Sequence, residues 1–241
     1  MTKSGEATTN HDVVSHQQWV AARRAFLARE KDFTQQRDRL SRERRELPWE
    51  KVDKQYTFEG TNGSRTLAEL FGSSSQLIVY HFMFAPEWDE GCPSCSFWAD
   101  NFDGIDIHLW HRDASFVAIS RAPMDKIEAF KERMGWRFNW LSSADSDFNF
   151  DFYASFTDEE RARGTGFYNY VTGDPGESDH SAISVFYKDS EGSVFHTYSC
   201  YARGVDIVNG AYNYLDLAPK GRDEDPDATQ SWVRHHDRYD D

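Results

Sequence analysis

Two cysteines, Cys92 and Cys95, are separated by two residues, and their position predicts redox chemistry. They follow a nearly continuous apolar run, residues 76–84, that predicts a buried strand, and they open a helical stretch, residues 93–111. A Cys-x-x-Cys in this position is typical of a redox dithiol. A helix N-terminus offers unpaired N–H groups and partial positive charge, which favour a thiolate. We expect Cys92 to be the nucleophile and Cys95 to resolve the mixed disulfide.

Five neighbours are expected to shape this site. Gly91 allows a tight turn and leaves the first sulfur uncrowded. Pro93 lies in the first helical turn, where its missing N–H costs nothing, and Ser94 lies between the two thiols. Trp88 and Trp98 are expected to form an apolar rim for the backbone of a partner.

The charges around the dithiol have opposing effects. Three carboxylates within residues 87–90 lie close to Cys92 in the sequence. Their negative charge opposes the formation of a negatively charged thiolate and is therefore expected to raise the pKa of Cys92. Arg121 is the candidate compensating cation, because it follows the predicted strand 115–120, whose parallel neighbour leads to Cys92. The alternative for Arg121 is a surface arginine paired with a carboxylate.

Zinc is the main rival to redox chemistry. Cys92, Cys95, His108 and His111 come near the spacing of a two-Cys, two-His finger. If the stretch is one helix, however, His108 lies about 20 Å from Cys95. Only a sharp break at Gly104 would bring the four side chains together. We therefore predict no metal site, and an inert pair of cysteines is the remaining alternative.

Other chemistry-bearing side chains carry weaker signals. Cys200 is expected to be a small buried residue at a strand end, with a third redox thiol as the alternative. His81 lies within a predicted buried strand and is expected to be a hydrogen-bonded core histidine. His235 and His236 are expected to be solvated in the tail. No Gly-rich phosphate loop is present, and no organic cofactor is implied.

Composition limits the partners and the compartment. The net charge of −14 argues against nucleic acid, and no apolar run approaches the about 20 residues needed to cross a bilayer. Residues 1–12 are polar without an apolar signal core. Three cysteines in 241 residues do not make a disulfide framework. We expect a cytoplasmic protein that binds neither nucleic acid nor membrane.

A basic arm precedes an acidic body. Residues 15–47 carry a net charge of +4 and the remaining residues −18. Ser15 and Gln18 predict a capping box at the start of one long helix. Apolar residues recur there every seventh position, namely Trp19, Phe26, Phe33, Leu40 and Leu47. We expect the helix to dock along the acidic body, and a homodimer through this helix is the alternative.

The order of predicted elements favours a thioredoxin-like fold. Two βα units in sequence imply parallel strands, and a later β-hairpin, 182–187 with 194–198, adds antiparallel ones. We predict an α/β three-layer fold with a central mixed sheet and helices on both faces. The expected organisation is a disordered N-terminus (1–14), a helical arm (15–47), a thioredoxin-like domain (48–219) and a loosely held charged tail (220–241).

Several motifs together resemble one bacterial family, from about residue 14 to residue 239. They are Ser15-His16-x-x-Trp19, Leu47-Pro48-Trp49, Tyr80-His81-Phe82-Met83-Phe84, Gly91-Cys92-Pro93-Ser94-Cys95-Ser96-Phe97-Trp98-Ala99-Asp100, Ser120-Arg121-Ala122-Pro123 and Asn209-Gly210-Ala211-Tyr212-Asn213-Tyr214-Leu215-Asp216. The family is described as thioredoxin-like, predicted dithiol–disulfide oxidoreductases. The resemblance implies a disulfide or peroxide substrate and a thiol reductant as partners.

Two departures from thioredoxin itself keep alternatives open. Residues 179–183, before the strand expected to face the dithiol, contain no proline, and Trp88 stands four residues before Cys92 rather than directly before it. The longer loop is similar to that of peroxiredoxins, which makes a thiol peroxidase the alternative enzyme. A peroxidase would need a Thr or Ser and an Arg around the sulfur, and Arg121 is the only candidate. A non-catalytic binding module with this fold is the third interpretation.

Overall fold

The computed structural model describes residues 11–239, so most of the predicted disordered N-terminus lies outside the described residues. The chain divides into two compact units, residues 1–47 and 48–241. The helices are α1 (His16–Arg45), α2 (Leu67–Leu70), α3 (Pro93–Phe102), α4 (Asp106–Trp110), α5 (Met124–Arg133), α6 (Phe148–Asp151), α7 (Asp158–Arg163) and α8 (Gly210–Leu215). Two 3-10 helices span Ala202–Val208 and His236–Arg238.

The strands are β1 (Glu50–Lys51), β2 (Thr57–Gly60), β3 (Gly63–Thr66), β4 (Gln76–His81), β5 (Ala114–Ser120), β6 (Trp140–Ser142), β7 (Gly166–Tyr168), β8 (Val171–Gly173), β9 (Ala182–Lys188) and β10 (Val194–Tyr201). Within residues 11–239, all but β7 and β8 form one sheet in the order β1-β10-β9-β4-β5-β6-β2-β3.

The first unit contains α1, a helix of 30 residues. It begins at the predicted capping box, in which Ser15 and Gln18 each bond the other's backbone N–H. Arg42, Arg44 and Arg45 lie in its last turn, where positive charge stabilises a helix C-terminus. None of its residues is buried, and pairing of two chains through its apolar stripe stays a prediction.

The centre of the second unit is the parallel pair β4–β5, joined by a connection that contains α3. On the other side of β4 the antiparallel hairpin β9–β10 completes the order β10-β9-β4-β5. This is the thioredoxin-like arrangement, so the predicted fold class is confirmed.

Two apolar clusters cover the two faces of the sheet. Alternate residues of β4 point to opposite faces, so Tyr80 joins one cluster while Leu77 and Val79 join the other. The first cluster takes in side chains of α3, α5 and α8, and the second those of α2 and α6. Helices therefore flank both faces, and the cysteines lie on the Tyr80 face.

Three elements differ from the sequence prediction. The stretch 93–111 is two helices, α3 and α4, because Gly104 between them adopts φ +91°, a conformation that ends a helix. The expected loop 142–151 contains α6 and follows the short strand β6, which lies in the sheet beside β5. The hairpin β7–β8 was not predicted, since its three-residue strands carry little periodic signal. Among residues 11–239, no helix combines the length and apolarity that a bilayer crossing requires.

A buried polar chain crosses the second face of the sheet. His81, 1% exposed, donates from Nδ1 to Asn149 Oδ1 (3.1 Å), and its Nε2 accepts from the Ser184 hydroxyl (2.9 Å). Ser184 contacts Ser199 (2.8 Å), whose hydroxyl accepts from His196 Nε2 (2.8 Å). This pattern satisfies a neutral His81, the hydrogen-bonded core histidine expected from the sequence. Burial lowers the pKa of His81 to about 4.

We predict that the free energy of unfolding decreases as the pH is lowered from 6.5 towards 4, because of His81. Its pKa is about 4 folded against 6.5 for the ordinary side chain, so protons bind preferentially to the unfolded state. The stabilisation is complete above pH 6.5 and is lost as pH falls towards 4, by about 3 kcal/mol. Urea unfolding across this range should show a flatter pH dependence for His81→Gln than for wild type. His108→Gln, which changes an exposed histidine, is the control, and an unchanged slope in His81→Gln would contradict the assignment.

Candidate active site

The position of Cys92 is set by backbone hydrogen bonds at the junction of β4 and α3. Cys92 is the N-cap of α3, and Pro93 occupies the first helical turn. The Cys92 N–H donates to the Met83 carbonyl (3.0 Å). The Cys92 carbonyl accepts from the Ser96 N–H and the Ser96 hydroxyl, both at 2.9 Å. The first thiol is therefore held at the helix N-terminus, at the end of a central strand.

Gly91 is required by close packing around the loop. A Cβ at this position would lie 2.7 Å from a ring carbon of Phe82 and 2.7 Å from one of Phe130. These distances are shorter than any ordinary contact, so a side chain here would displace the loop. The sequence had suggested a tight turn, whereas the structure gives the reason as two aromatic rings against the backbone.

The C-terminal segment holds the same loop. His235 is 3% exposed, and its Nε2–H donates to the Gly91 carbonyl (2.8 Å). Its Nδ1 faces Arg133 Nη2 (3.3 Å), which fits an imidazole that accepts there. The expectation that His235 is solvated is wrong, because residues 235–238 pack over α5 and the cysteine loop. His236 pairs with Asp100 (2.7 Å).

The pKa of Cys92 is lowered to about 7. The largest cause is a hydrogen bond from the Cys95 thiol, and the backbone N–H groups of Cys95 and Ser94 and the Ser94 hydroxyl act in the same direction. Burial opposes them. The expectation that nearby carboxylates raise this pKa is wrong, because hydrogen-bond donors at the helix N-terminus lower it and no carboxylate is among the main causes.

Glu90 shows how one of those carboxylates is compensated. It forms ion pairs with Arg133 (2.7 Å) and Arg238 (2.7 Å). Arg133 also pairs with Asp237 (2.8 Å). The negative charge of Glu90 is thus neutralised by Arg133 from α5 and Arg238 from the C-terminal segment.

Cys95 occupies a different environment. It is 1% exposed and lies in the cluster formed by α3 and the Tyr80 face of the sheet. Its sulfur accepts a hydrogen bond from the Met83 N–H (3.3 Å). Burial is the first cause that raises the pKa of Cys95 well above its ordinary value. At neutral pH, Cys92 can be a thiolate while Cys95 stays protonated.

The two predicted rim residues have different positions. Trp88 is half-buried and packs against the cluster that holds the cysteines. Trp98 is 3% exposed, its Nε1 donates to the Val205 carbonyl (2.9 Å), and its ring packs edge-on against Tyr212. The expectation of a rim is wrong for Trp98, because its place on α3 faces the core.

Arg121 is paired with a carboxylate, as in the alternative interpretation, but it is not a surface arginine, because its side chain is only 15% exposed. It donates to both oxygens of Asp179, from Nε at 2.9 Å and from Nη2 at 2.6 Å. Asp179 also accepts from the Ser155 and Ser178 hydroxyls, each at 2.7 Å. The Arg121 charge is therefore neutralised by a buried carboxylate, and it is not among the main causes of the lowered pKa of Cys92.

Because the helix breaks at Gly104, its length no longer argues against a zinc site. Among the described residues, no group of three or more His, Cys, Asp or Glu side chains is placed to hold a metal ion. His108 is exposed on α4. Cys92 and Cys95 are thiols in this structure. Together they can perform thiol–disulfide exchange without any further group.

Sequence reasoning missed two residues at this site. Tyr80 lies on β4 in the buried cluster that contains Cys95, and its alternation with His81 was the available signal. His235 had no local signal, because its contact with Gly91 spans 144 residues.

Three solved structures illustrate what the chain is similar to. The peroxidoxin BcpB from Mycobacterium tuberculosis has 18% identity and a TM-score of 0.45, over 67% of this chain and 93% of that chain. A peroxiredoxin Q from Xanthomonas campestris has 16% identity and a TM-score of 0.43, over 64% and 87%. A PrxQ mutant from Xylella fastidiosa has 11% identity and a TM-score of 0.40, over 66% and 89%.

A search of curated proteins finds no match to this sequence. One family model matches residues 8–239, almost the whole chain, and its description is "Bacterial protein of unknown function (DUF899)". The chain therefore belongs to this bacterial family.

Proposed function

We propose that the chain is a thioredoxin-like dithiol–disulfide oxidoreductase that uses Cys92 and Cys95. The observation that carries the proposal is the difference between the two thiols. Cys92 is partly exposed at a helix N-terminus with a pKa lowered to about 7, whereas Cys95 is buried with a raised pKa. An attacking thiolate with a pKa near the ambient pH is the most effective in disulfide exchange.

The reaction proceeds in two exchange steps. The Cys92 thiolate attacks one sulfur of a substrate disulfide, forms a mixed disulfide and expels the other half as a thiolate. Cys95 then attacks the Cys92 sulfur, which forms the Cys92–Cys95 disulfide and releases the second half of the substrate. The proton of Cys95 ends on that released thiolate. A thiol reductant, a protein or a small molecule, returns the pair to the dithiol.

Peroxide is the alternative substrate class. A peroxidase mechanism favours a cation beside the attacking sulfur, and the paired state of Arg121 with Asp179 is the observation against it. Disulfide exchange needs only the two thiols and the helix N-terminus, so we place it first.

Single substitutions should separate the roles of the two cysteines. Cys92→Ser is expected to abolish reduction of a small disulfide, because the attacking thiolate is lost. Cys95→Ser is expected to accumulate a mixed disulfide on Cys92, because nothing resolves it. Mass spectrometry of the quenched reaction measures the adduct, and Cys200→Ser, which keeps both thiols, is the control.

Substrate choice decides between the candidate functions. Turnover of hydrogen peroxide without turnover of disulfides, both lost in Cys92→Ser, would identify a peroxidase. Full activity of Cys92→Ser with both substrates would exclude a redox role for the pair and leave the binding module.

The alkylation rate of Cys92 should report its lowered pKa. We expect the rate with iodoacetamide to rise with a midpoint at about pH 7, since the thiolate is the reactive form. Cys95→Ala removes the first cause of the shift and should move the midpoint upward. Quantifying the peptide that contains Cys92 by mass spectrometry keeps the other cysteines out of the signal. A wild-type midpoint at the ordinary cysteine value, unmoved in Cys95→Ala, would contradict the assigned role of the Cys95 thiol.

A further inference from the structure

Tyr80 places a hydroxyl group inside the protein next to the dithiol. It lies on β4, is 1% exposed and belongs to the apolar cluster that contains Cys95. Its ring packs against the rings of Phe82 and Phe102, with centroid separations of 6.2 Å and 5.1 Å. A tyrosine fixed in this way cannot turn its hydroxyl towards solvent.

The Tyr80 hydroxyl lacks a full hydrogen bond. Among the side chains that the structure describes, it is one of three buried polar atoms without a hydrogen-bond partner; the others are Ser74 Oγ and Asn209 Nδ2. A buried donor without a partner destabilises the folded state, because the group loses its bonds to water. Other buried tyrosines differ from it: Tyr212 donates to Glu224 (2.7 Å), and Tyr201 donates to the Phe152 carbonyl (3.1 Å).

The Tyr80 hydroxyl and the sulfur of Cys95 are buried in the same cluster, where the two groups interact electrostatically. Although no full hydrogen bond joins them, Tyr80 acts on the Cys95 thiol as a donor and lowers its pKa, opposing the effect of burial. In turn, a negative charge on Cys95 raises the pKa of Tyr80, which burial already places well above 10. Tyr80 therefore stays protonated and can only donate. The second donor to the same sulfur is the Met83 N–H (3.3 Å).

We propose that Tyr80 is a donor preorganised for the thiolate that forms on Cys95 during the resolving step. The thiol form of Cys95 is a weak acceptor, so the hydroxyl stays poorly bonded in the reduced protein. A thiolate is a strong, charged acceptor, and a donor already buried in the same cluster can stabilise that state with little reorganisation. The proposal rests on the proposed function, since it assigns a role within the second exchange step.

The step is balanced without any further reactant. The Cys95 S–H bond breaks, the new Cys92–Cys95 bond forms and the bond from Cys92 to the substrate sulfur breaks. The electron pair of that last bond leaves with the substrate thiolate, which takes up the proton from Cys95. Tyr80 keeps its own proton throughout. Because the charge on Cys95 exists only during the step, Tyr80 should affect the rate of resolution and leave the reduced and disulfide end states nearly unchanged.

A single-turnover reaction with the aromatic disulfide dithiobis(nitrobenzoate) measures the two steps separately. Attack by Cys92 releases one coloured thiolate, and attack by Cys95 releases the second. All variants carry Cys200→Ser, so that colour arises from the pair alone. In Tyr80→Phe we expect an unchanged first phase and a second phase slowed by roughly tenfold to a hundredfold, the effect of losing one hydrogen bond to a charged group.

Two further measurements distinguish this role from a structural one. Tyr80→Phe should keep or increase thermal stability, because it removes a poorly bonded buried hydroxyl, and should keep the reduction potential of the pair. Tyr212→Phe, the matched control, removes a well-bonded buried hydroxyl and should lower stability without slowing the second phase. A marked loss of stability in Tyr80→Phe would show that the hydroxyl has a partner in the resting state, and would overturn the inference.

The outcomes separate this inference from the proposed function. If the first phase is missing in the Cys200→Ser protein, or persists after Cys92→Ser is added, the proposed function fails. If both phases depend on the pair and the second phase keeps its rate in Tyr80→Phe, only the role of Tyr80 is overturned. An equal slowing of both phases would likewise overturn it, because the first step places no charge on Cys95.

Discussion

The hydrogen bond from the Cys92 N–H to the Met83 carbonyl joins the start of α3 to the end of β4, and the chemistry of the site depends on this junction. It places the sulfur of Cys92 at the N-terminus of α3, where unpaired N–H groups converge, and directs the first turn of the helix, with Cys95, into the core. Two thiols three residues apart thereby acquire opposite environments. The lowered pKa of Cys92 and the raised pKa of Cys95 follow from that one placement.

Strand β4 carries two different arrangements of buried polar groups on its two faces. His81 is satisfied by a chain of hydroxyl and amide partners, which fixes its neutral form. Tyr80, one residue earlier and on the opposite face, has no such chain and meets the sulfur of Cys95 instead. A satisfied network stabilises the fold, whereas the role proposed for Tyr80 is to stabilise a charge that appears during reaction. The alternation of a β-strand keeps the two functions apart.

Much of this could be read from the chain. The apolar run before the cysteines, their spacing and the proline in the first helical turn are local signals, and they predict the strand and the helix start that the structure contains. The order of attack stays a prediction. The wrong predictions concern where a side chain points and which residues, remote in the sequence, it contacts. The prediction of a rim is wrong for Trp98, because the helical repeat turns its side chain to the core. The acidic approach to Cys92 was weighed without Arg133 and Arg238, which reach Glu90 from distant segments.

The sequence by itself determined the family and the thioredoxin-like order of elements, because each depends on residue types at short spacing. Only the tertiary structure decided which charges face the dithiol, that Arg121 is occupied by Asp179, and that His235 and Gly91 meet across most of the chain. It also decided that Tyr80 shares a buried cluster with Cys95. Contacts between remote segments depend on how the elements pack, and no local pattern of residues records that packing.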